Sequence, residues 1–150
     1  MMVKNPESVD TTGIRVFVYG SLKTGHGNNR FLREAELIGK CIIRGKYKLI
    51  DLGYYPGLVQ VLSDKAAESA VLGEVYKLKK EHLDGLDMLE GHPDYYRREK
   101  VQTPWKGAWC YFLPSQYLTA APHVPETEGV QVWKPNDEEV AYVCSNAAGQ

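Results

Sequence analysis

The chain has 150 residues, 43% of them hydrophobic and 25% charged, with a formal net charge of −1. That size and balance suit one globular domain with a full core. Near-neutral charge and the lack of any basic run argue against nucleic acid or an anionic membrane as the main partner.

No apolar run approaches the ~20 residues needed to span a bilayer. Residues 1–12 are polar and carry no signal-peptide core. Cys41, Cys110 and Cys144 are odd in number and far apart, so a reducing cytoplasm is expected rather than a disulfide framework. One domain is expected over 13–135, between a polar N-terminal segment at 1–12 and a C-terminal tail at 136–150.

In chain order, Ile14 to Val18 is almost continuously β-branched or aromatic, which predicts a strand buried on both faces. It runs into Tyr19-Gly20-Ser21-Leu22, then Gly25, Gly27, Asn28 and Asn29. These residues tolerate positive φ and leave backbone N–H groups uncovered. Such a loop either offers donors to an anionic or carbonyl oxygen or is an ordinary glycine-rich turn. A short helix is expected from Asn28 to Arg33, with Asn28 or Asn29 as N-cap and its first amides aimed at the same spot.

Leu37 to Leu52 reads as one bent strand or two, with Gly45 at a bulge or corner. Gly53-Tyr54-Tyr55-Pro56-Gly57 marks a turn, with Pro56-Gly57 as its strongest element. Leu58 to Leu62 and Ala70 to Leu78 read as further strands. From Glu81 to Glu90 the period becomes helical, and Gly91 and Pro93 stop the helix. Tyr95–Thr103 and Ala108–Leu113 form a predicted hairpin around Pro104-Trp105-Lys106-Gly107. Beyond Pro114 the pattern loosens, leaving Val130 to Trp133 as a possible last strand. The expected class is α+β, a small and mainly antiparallel mixed β-barrel flanked by short helices.

On a helical wheel with Leu83 at zero, Leu86 falls near about 300°, Leu89 near about 240° and Glu90 near about 340°. Glu90 thus points out of the apolar stripe, while Asp84 and Asp87 lie to the side, toward water. Glu90 also occupies the last turn, where the helix dipole disfavours an anion. Both effects raise a carboxyl pKa, which makes Glu90 a candidate general base or acid. The structural alternative is an ion pair with Arg97 or Arg98.

Val-Phe-Val-Tyr-Gly-Ser-Leu-Lys at 16–23, Tyr-Pro-Gly-Leu-Val at 55–59, Gly-Glu-Val-Tyr-Lys-Leu at 73–78 and Leu-Asp-Met-Leu-Glu-Gly-x-Pro-x-x-Tyr-x-Arg from Leu86 to Arg98 occur in this order. Together they resemble the γ-glutamylcyclotransferase-like family, and most closely its γ-glutamylamine cyclotransferase branch. The resemblance implies a small mixed barrel flanked by helices. It implies that Tyr19, Gly20, Ser21 and Leu22 hold a glutamyl head group, that Glu90 is catalytic, and that Tyr96 and Arg98 join the substrate site. The implied reaction closes a γ-glutamyl amide into 5-oxoproline and releases an amine. Its small-molecule substrate needs no metal or organic cofactor, and the leaving amine and oligomeric state are left open.

Other chemistries fit less well. Gly20 and Gly25 have P-loop spacing, but His26-Gly27 stands where Lys-Ser/Thr is needed. No Gly-x-Ser-x-Gly elbow surrounds Ser21. His26, His82, His92 and His123 lack metal-ligand spacing. A non-catalytic binding module for γ-glutamyl or other small anionic ligands is the alternative from a different class.

Overall fold

The computed structural model of the chain describes residues 13–134. The expected segments at 1–12 and 136–150, and Cys144, lie outside the described residues. Strand β1 (Ile14–Val18) is buried beyond Ile14. Its side chains alternate as a pleat requires: Val16 and Val18 join one apolar cluster, Phe17 and the following Tyr19 the other.

The sheet is organised on β5 (Ser69–Leu78), buried from Ala70 to Tyr76. One of its edges is covered by antiparallel β2 (Glu36–Gly45), from Glu36 opposite Lys77 to Gly45 opposite Ser69, with a bulge between Leu37 and Gly39. The other edge is shared end to end. Antiparallel β1 covers Glu74 to Leu78, and β9 (Val130–Gln131) runs parallel beside Ala70 and Val71. Gly73 sits at the seam, where an added Cβ would lie 2.4 Å from the Val18 carbonyl oxygen. Only glycine permits that approach.

The far edge of β1 takes β7 (Lys106–Phe112) in parallel at Val16 and Trp109, and β7 carries β6 (Arg97–Thr103) as an antiparallel hairpin. A short β8 (Glu126–Thr127) pairs with β9. Strands β3 (Tyr47–Asp51) and β4 (Pro56–Gln60) form a separate two-stranded ribbon.

The α+β class and the mainly antiparallel sheet are as expected, but the barrel is not closed. Among the described residues no ladder joins the outer strands β6 and β2. The chain breaks between Gly45 and Tyr47, and β3 leaves the sheet to pair with β4 instead of closing it.

The described residues contain one α-helix, α1 (Lys80–Glu90), with Leu83 and Leu86 buried against the Val16 and Val18 face of the sheet. Gly91, at φ 68°, ends it in the left-handed conformation, and its N–H donates back to the helix. The helix expected at Asn28–Arg33 is a single 3-10 turn over Asn29–Leu32. Asn28 makes no side-chain cap there because its amide turns back to the Ser21 hydroxyl.

Two further differences come from packing. The β6–β7 turn carries a core residue: Trp105 is buried although it sits at the tip of a hairpin. The loose segment beyond Leu113 is tied along β3, with Asp51 N–H donating to the Pro122 carbonyl and Val124 N–H to that of Leu49. Buried Gln131 then joins three strands, accepting from Leu49 N–H at 2.7 Å and donating to the Tyr47 carbonyl and the Ser69 hydroxyl.

Candidate active site

A cavity of about 610 Å³ opens where β1 leaves the edge of β5. Its floor is the loop from Tyr19 to Leu22, its side the end of α1, and its rim Tyr54 and Tyr55 with Pro56 at the start of β4. The loop is shaped through its carbonyls. Gly20 C=O accepts from Lys23 N–H at 3.0 Å, Ser21 C=O from Asn28 N–H at 2.8 Å, and Leu22 C=O from the Asn29 side chain at 2.8 Å. The amides of Gly20, Ser21 and Leu22 donate to no backbone acceptor among the described residues. Three successive unspent amides beside a cavity can receive an anionic or carbonyl oxygen.

Gly20 is a glycine for lack of space. It is not among the positive-φ glycines. An added Cβ would lie 2.5 Å from Pro56 Cγ, so the absent side chain lets Pro56 cross the loop. The tyrosines are fixed by backbone. Tyr19 Oη donates to the Tyr111 carbonyl at 2.6 Å and accepts from Leu58 N–H at 3.1 Å, and burial raises its pKa. Tyr96 Oη donates to the Pro56 carbonyl at 2.7 Å. Both line the cavity with ring surface, their hydroxyls already committed.

Glu90 is the last residue of α1 and is half-buried in the cavity wall. Burial pushes its carboxyl up to about 7, with no opposing charge to lower it. A carboxylate near that value can take a proton and return it at neutral pH.

Arg98 is not brought into the cavity lining. Its Nε donates to both oxygens of Asp87, at 2.9 and 3.2 Å, and its guanidinium lies 4.4 Å from the Trp109 ring centroid. Asp87 was expected to face water. Instead the β6–β7 hairpin covers that flank of α1, and Tyr111 Oη adds a 2.6 Å hydrogen bond to Asp87. Burial alone would raise the Asp87 carboxyl, but the Arg98 and Tyr111 hydrogen bonds and the Arg98 and His92 charges lower it overall. Leu89, placed in the apolar stripe by the wheel, is instead exposed on the cavity wall, and the buried stripe is Leu83 and Leu86.

The structure therefore assembles Tyr19, Gly20, Ser21, Leu22, Glu90 and Tyr96 around one cavity, with Arg98 behind it. Tyr54, Tyr95, Trp133 and Lys134 also line it and were not picked out by motif, and so do Tyr55 of the Tyr-Pro-Gly-Leu-Val motif and Asn28 of the glycine loop, neither of which was given a site role. The paired tyrosines were the available signal for Tyr54 and Tyr55, but Pro56 and Gly57, expected as the strongest part of that turn, instead begin β4 opposite Asp51 and Ile50. Nothing in the local sequence marks Trp133 and Lys134. Among the described residues no group of three or more His, Cys, Asp or Glu side chains could hold a metal ion. No described helix is long and apolar enough to cross a membrane.

Residues 16–134 match the model of a protein family described as gamma-glutamyl cyclotransferase, AIG2-like. The gamma-glutamylcyclotransferase family protein YtfP of Escherichia coli is 39% identical over 98 residues, covering 65% of this chain and 80% of that one. The solution structure of Escherichia coli ytfP superposes with a TM-score of 0.52 at 38% identity, over 67% of this chain and 82% of that one. The crystal structure of a mouse AIG2-like protein superposes with a TM-score of 0.61 over 83% of this chain and 97% of that one. At 23% identity it speaks for the fold alone.

Proposed function

The chain belongs to the gamma-glutamyl cyclotransferase, AIG2-like family, and from that membership we propose that it cyclises a γ-glutamyl amide to 5-oxoproline with release of a free amine. The observation that carries this reading is Glu90, a carboxyl raised by burial to about 7 on the wall of the cavity floored by the Gly20–Leu22 amides.

In the proposed cycle the substrate's glutamyl group lies over the Tyr19–Leu22 loop, whose amides receive its α-carboxylate or the developing oxyanion. Glu90 takes a proton from the α-ammonium, and the freed amine attacks the γ-carbonyl carbon to form a tetrahedral oxyanion. The carbonyl re-forms as the C–N bond breaks, Glu90 returns its proton to the departing amine, and the ring nitrogen gives up its second proton to that amine, so that 5-oxoproline and an ammonium ion leave. Because the attack is intramolecular, holding the glutamyl chain folded supplies much of the acceleration. Tyr19 and Tyr96 serve as ring walls, and Arg98 acts through Asp87 on the helix end rather than on substrate. The cycle asks for no metal or organic cofactor. Two buried free thiols, Cys41 and Cys110, are consistent with a reducing cytoplasm.

The test is a panel of γ-glutamyl amines and dipeptides with 5-oxoproline as readout. Wild type should release it, and Glu90→Gln should bind the amides but not turn them over, because glutamine keeps the shape and cannot accept the proton. Glu90→Gln turnover within tenfold of wild type would remove Glu90 from this role. Amide binding by wild type without 5-oxoproline would favour the non-catalytic binding module.

A further inference from the structure

The cavity exceeds what a glutamyl group of about ten heavy atoms occupies, and the surplus is bounded by rings. Resting on the cyclotransferase reading above, we propose that the leaving half of the substrate is an aromatic amine, seated on a shelf made by Tyr54, Tyr55, Tyr95 and Leu89.

Tyr95 packs against the cluster of Val16, Leu83 and Leu86, but the fold does not explain Tyr54 and Tyr55. Tyr54 is 95% exposed, and neither it nor Tyr55 belongs to an apolar core cluster. Leu89 is 39% exposed beside them on the cavity wall. Exposed apolar side chains gathered on the lining of one cavity are a binding feature, whereas isolated exposed residues are not.

Two of its rings, Tyr55 and Tyr95, are also held in place. The Tyr55 and Tyr95 hydroxyls lie 2.9 Å apart and satisfy each other. The Tyr95 ring packs edge-on against Tyr96 at 5.0 Å and against Tyr117 at 5.8 Å. Tyr55 and Tyr95, fixed in this way, need little ordering when a ligand arrives. Their mutual hydrogen bond commits the hydroxyls and leaves ring surface for a stacked or edge-on partner.

Its position and charge suit the leaving group. Leu89 immediately precedes Glu90 in the chain and both line the cavity with Tyr95, so the shelf begins beside the group that returns the proton. Among the described residues lining the cavity, Glu90 is the one carboxylate. Among the described lining residues a leaving amine bearing a second ammonium would find no other acid and would face Lys134. The Lys134 ammonium already sits 4.8 Å from the Trp133 ring centroid, where a cationic ligand would otherwise dock.

The experiment measures calorimetric binding of three amides to Glu90→Gln protein: γ-glutamyl-phenethylamine, γ-glutamyl-alanine and γ-glutamyl-cadaverine. The aromatic amide should bind at least about tenfold more tightly than the other two, the scale of one well-packed ring. Adding Tyr54→Ala, a change at an exposed ring, should bring that ratio to within about threefold. Equal affinities, or tighter binding of the cadaverine amide, would overturn the shelf. The same amides given to wild type separate the two readings. Release of 5-oxoproline without aromatic preference ends the shelf and leaves the cyclotransferase reading standing. Aromatic preference in binding with no 5-oxoproline from any amide ends the leaving-group assignment together with that reading.

Discussion

At the scale of single residues, Glu90 combines a functional argument with a thermodynamic one. Its carboxyl has an ordinary value of 4.5 and is raised to about 7 in the folded chain. The folded state therefore binds the proton more tightly. The resulting stability is fully present below pH 4.5 and is lost as pH rises through about 7. At pH 8 the buried charge costs up to about 3 kcal/mol. Glu90→Gln should accordingly melt higher than wild type at pH 8.5, with the gap closing near pH 5; an equal gap at both values would place the carboxyl in water. In turnover, the acid limb of kcat/KM should fall near pH 7. Gly20→Val tests the loop. Its new Cβ would meet Pro56 at 2.5 Å, and forcing that contact costs about 1–3 kcal/mol. Activity should fall far more than for exposed changes such as Gly85→Ala, where an added Cβ meets nothing, measured on folded protein by 5-oxoproline release.

At the scale of elements, what could be read in advance was what neighbours in sequence decide. The β1 run, the Gly45 break, the Gly91 stop of α1 and the β6–β7 hairpin are local signals, and each produced its element. The misplacements are non-local. A wheel ranks the sides of α1 but does not reveal that a hairpin will cover the Asp87 flank, so Asp87 and Arg98 were assigned to solvent and substrate respectively. Trp105 resembled a turn residue because turn chemistry is legible and the core beneath a turn is not. The same limit explains the site: Glu90 and Tyr19 announced themselves by odd placement and motif, while Trp133 and Lys134 arrive only through the pairing of β9 with β5. The Asp87–Arg98 pair, each side chain under one-fifth exposed, pins α1 to β6. Arg98→Ala should lower stability by about 2 kcal/mol, since it leaves Asp87 half-buried and without its cation. Asp87 has a depressed value, so this stability exists above the ordinary 3.8 and is lost as pH falls below it. Denaturant midpoints of wild type and Arg98→Ala should therefore converge in acid.

At the scale of the whole molecule, Gln131 holds the open sheet and the β3–β4 ribbon together in place of barrel closure. It is fully buried, and its side chain serves the Leu49 amide, the Tyr47 carbonyl and the Ser69 hydroxyl. Gln131→Leu fills similar space but strands those groups. It should cost about 2–4 kcal/mol, read as a lower denaturant midpoint, whereas Gln131→Glu should retain the Leu49 contact and lose the donor contacts. The shared edge of β5 has a consequence for how the protein is made. The ribosome delivers the loop, α1 and the β6–β7 hairpin well before Val130 emerges. Through that interval the Ala70–Val71 stretch has its β2 side paired and its other side bare, an invitation to any passing strand. The last short strand is thus a late seal as well as a wall. A stall or nonsense codon between residues 113 and 129 should yield a product that carries the reacting carboxyl yet partitions to chaperones or the pellet.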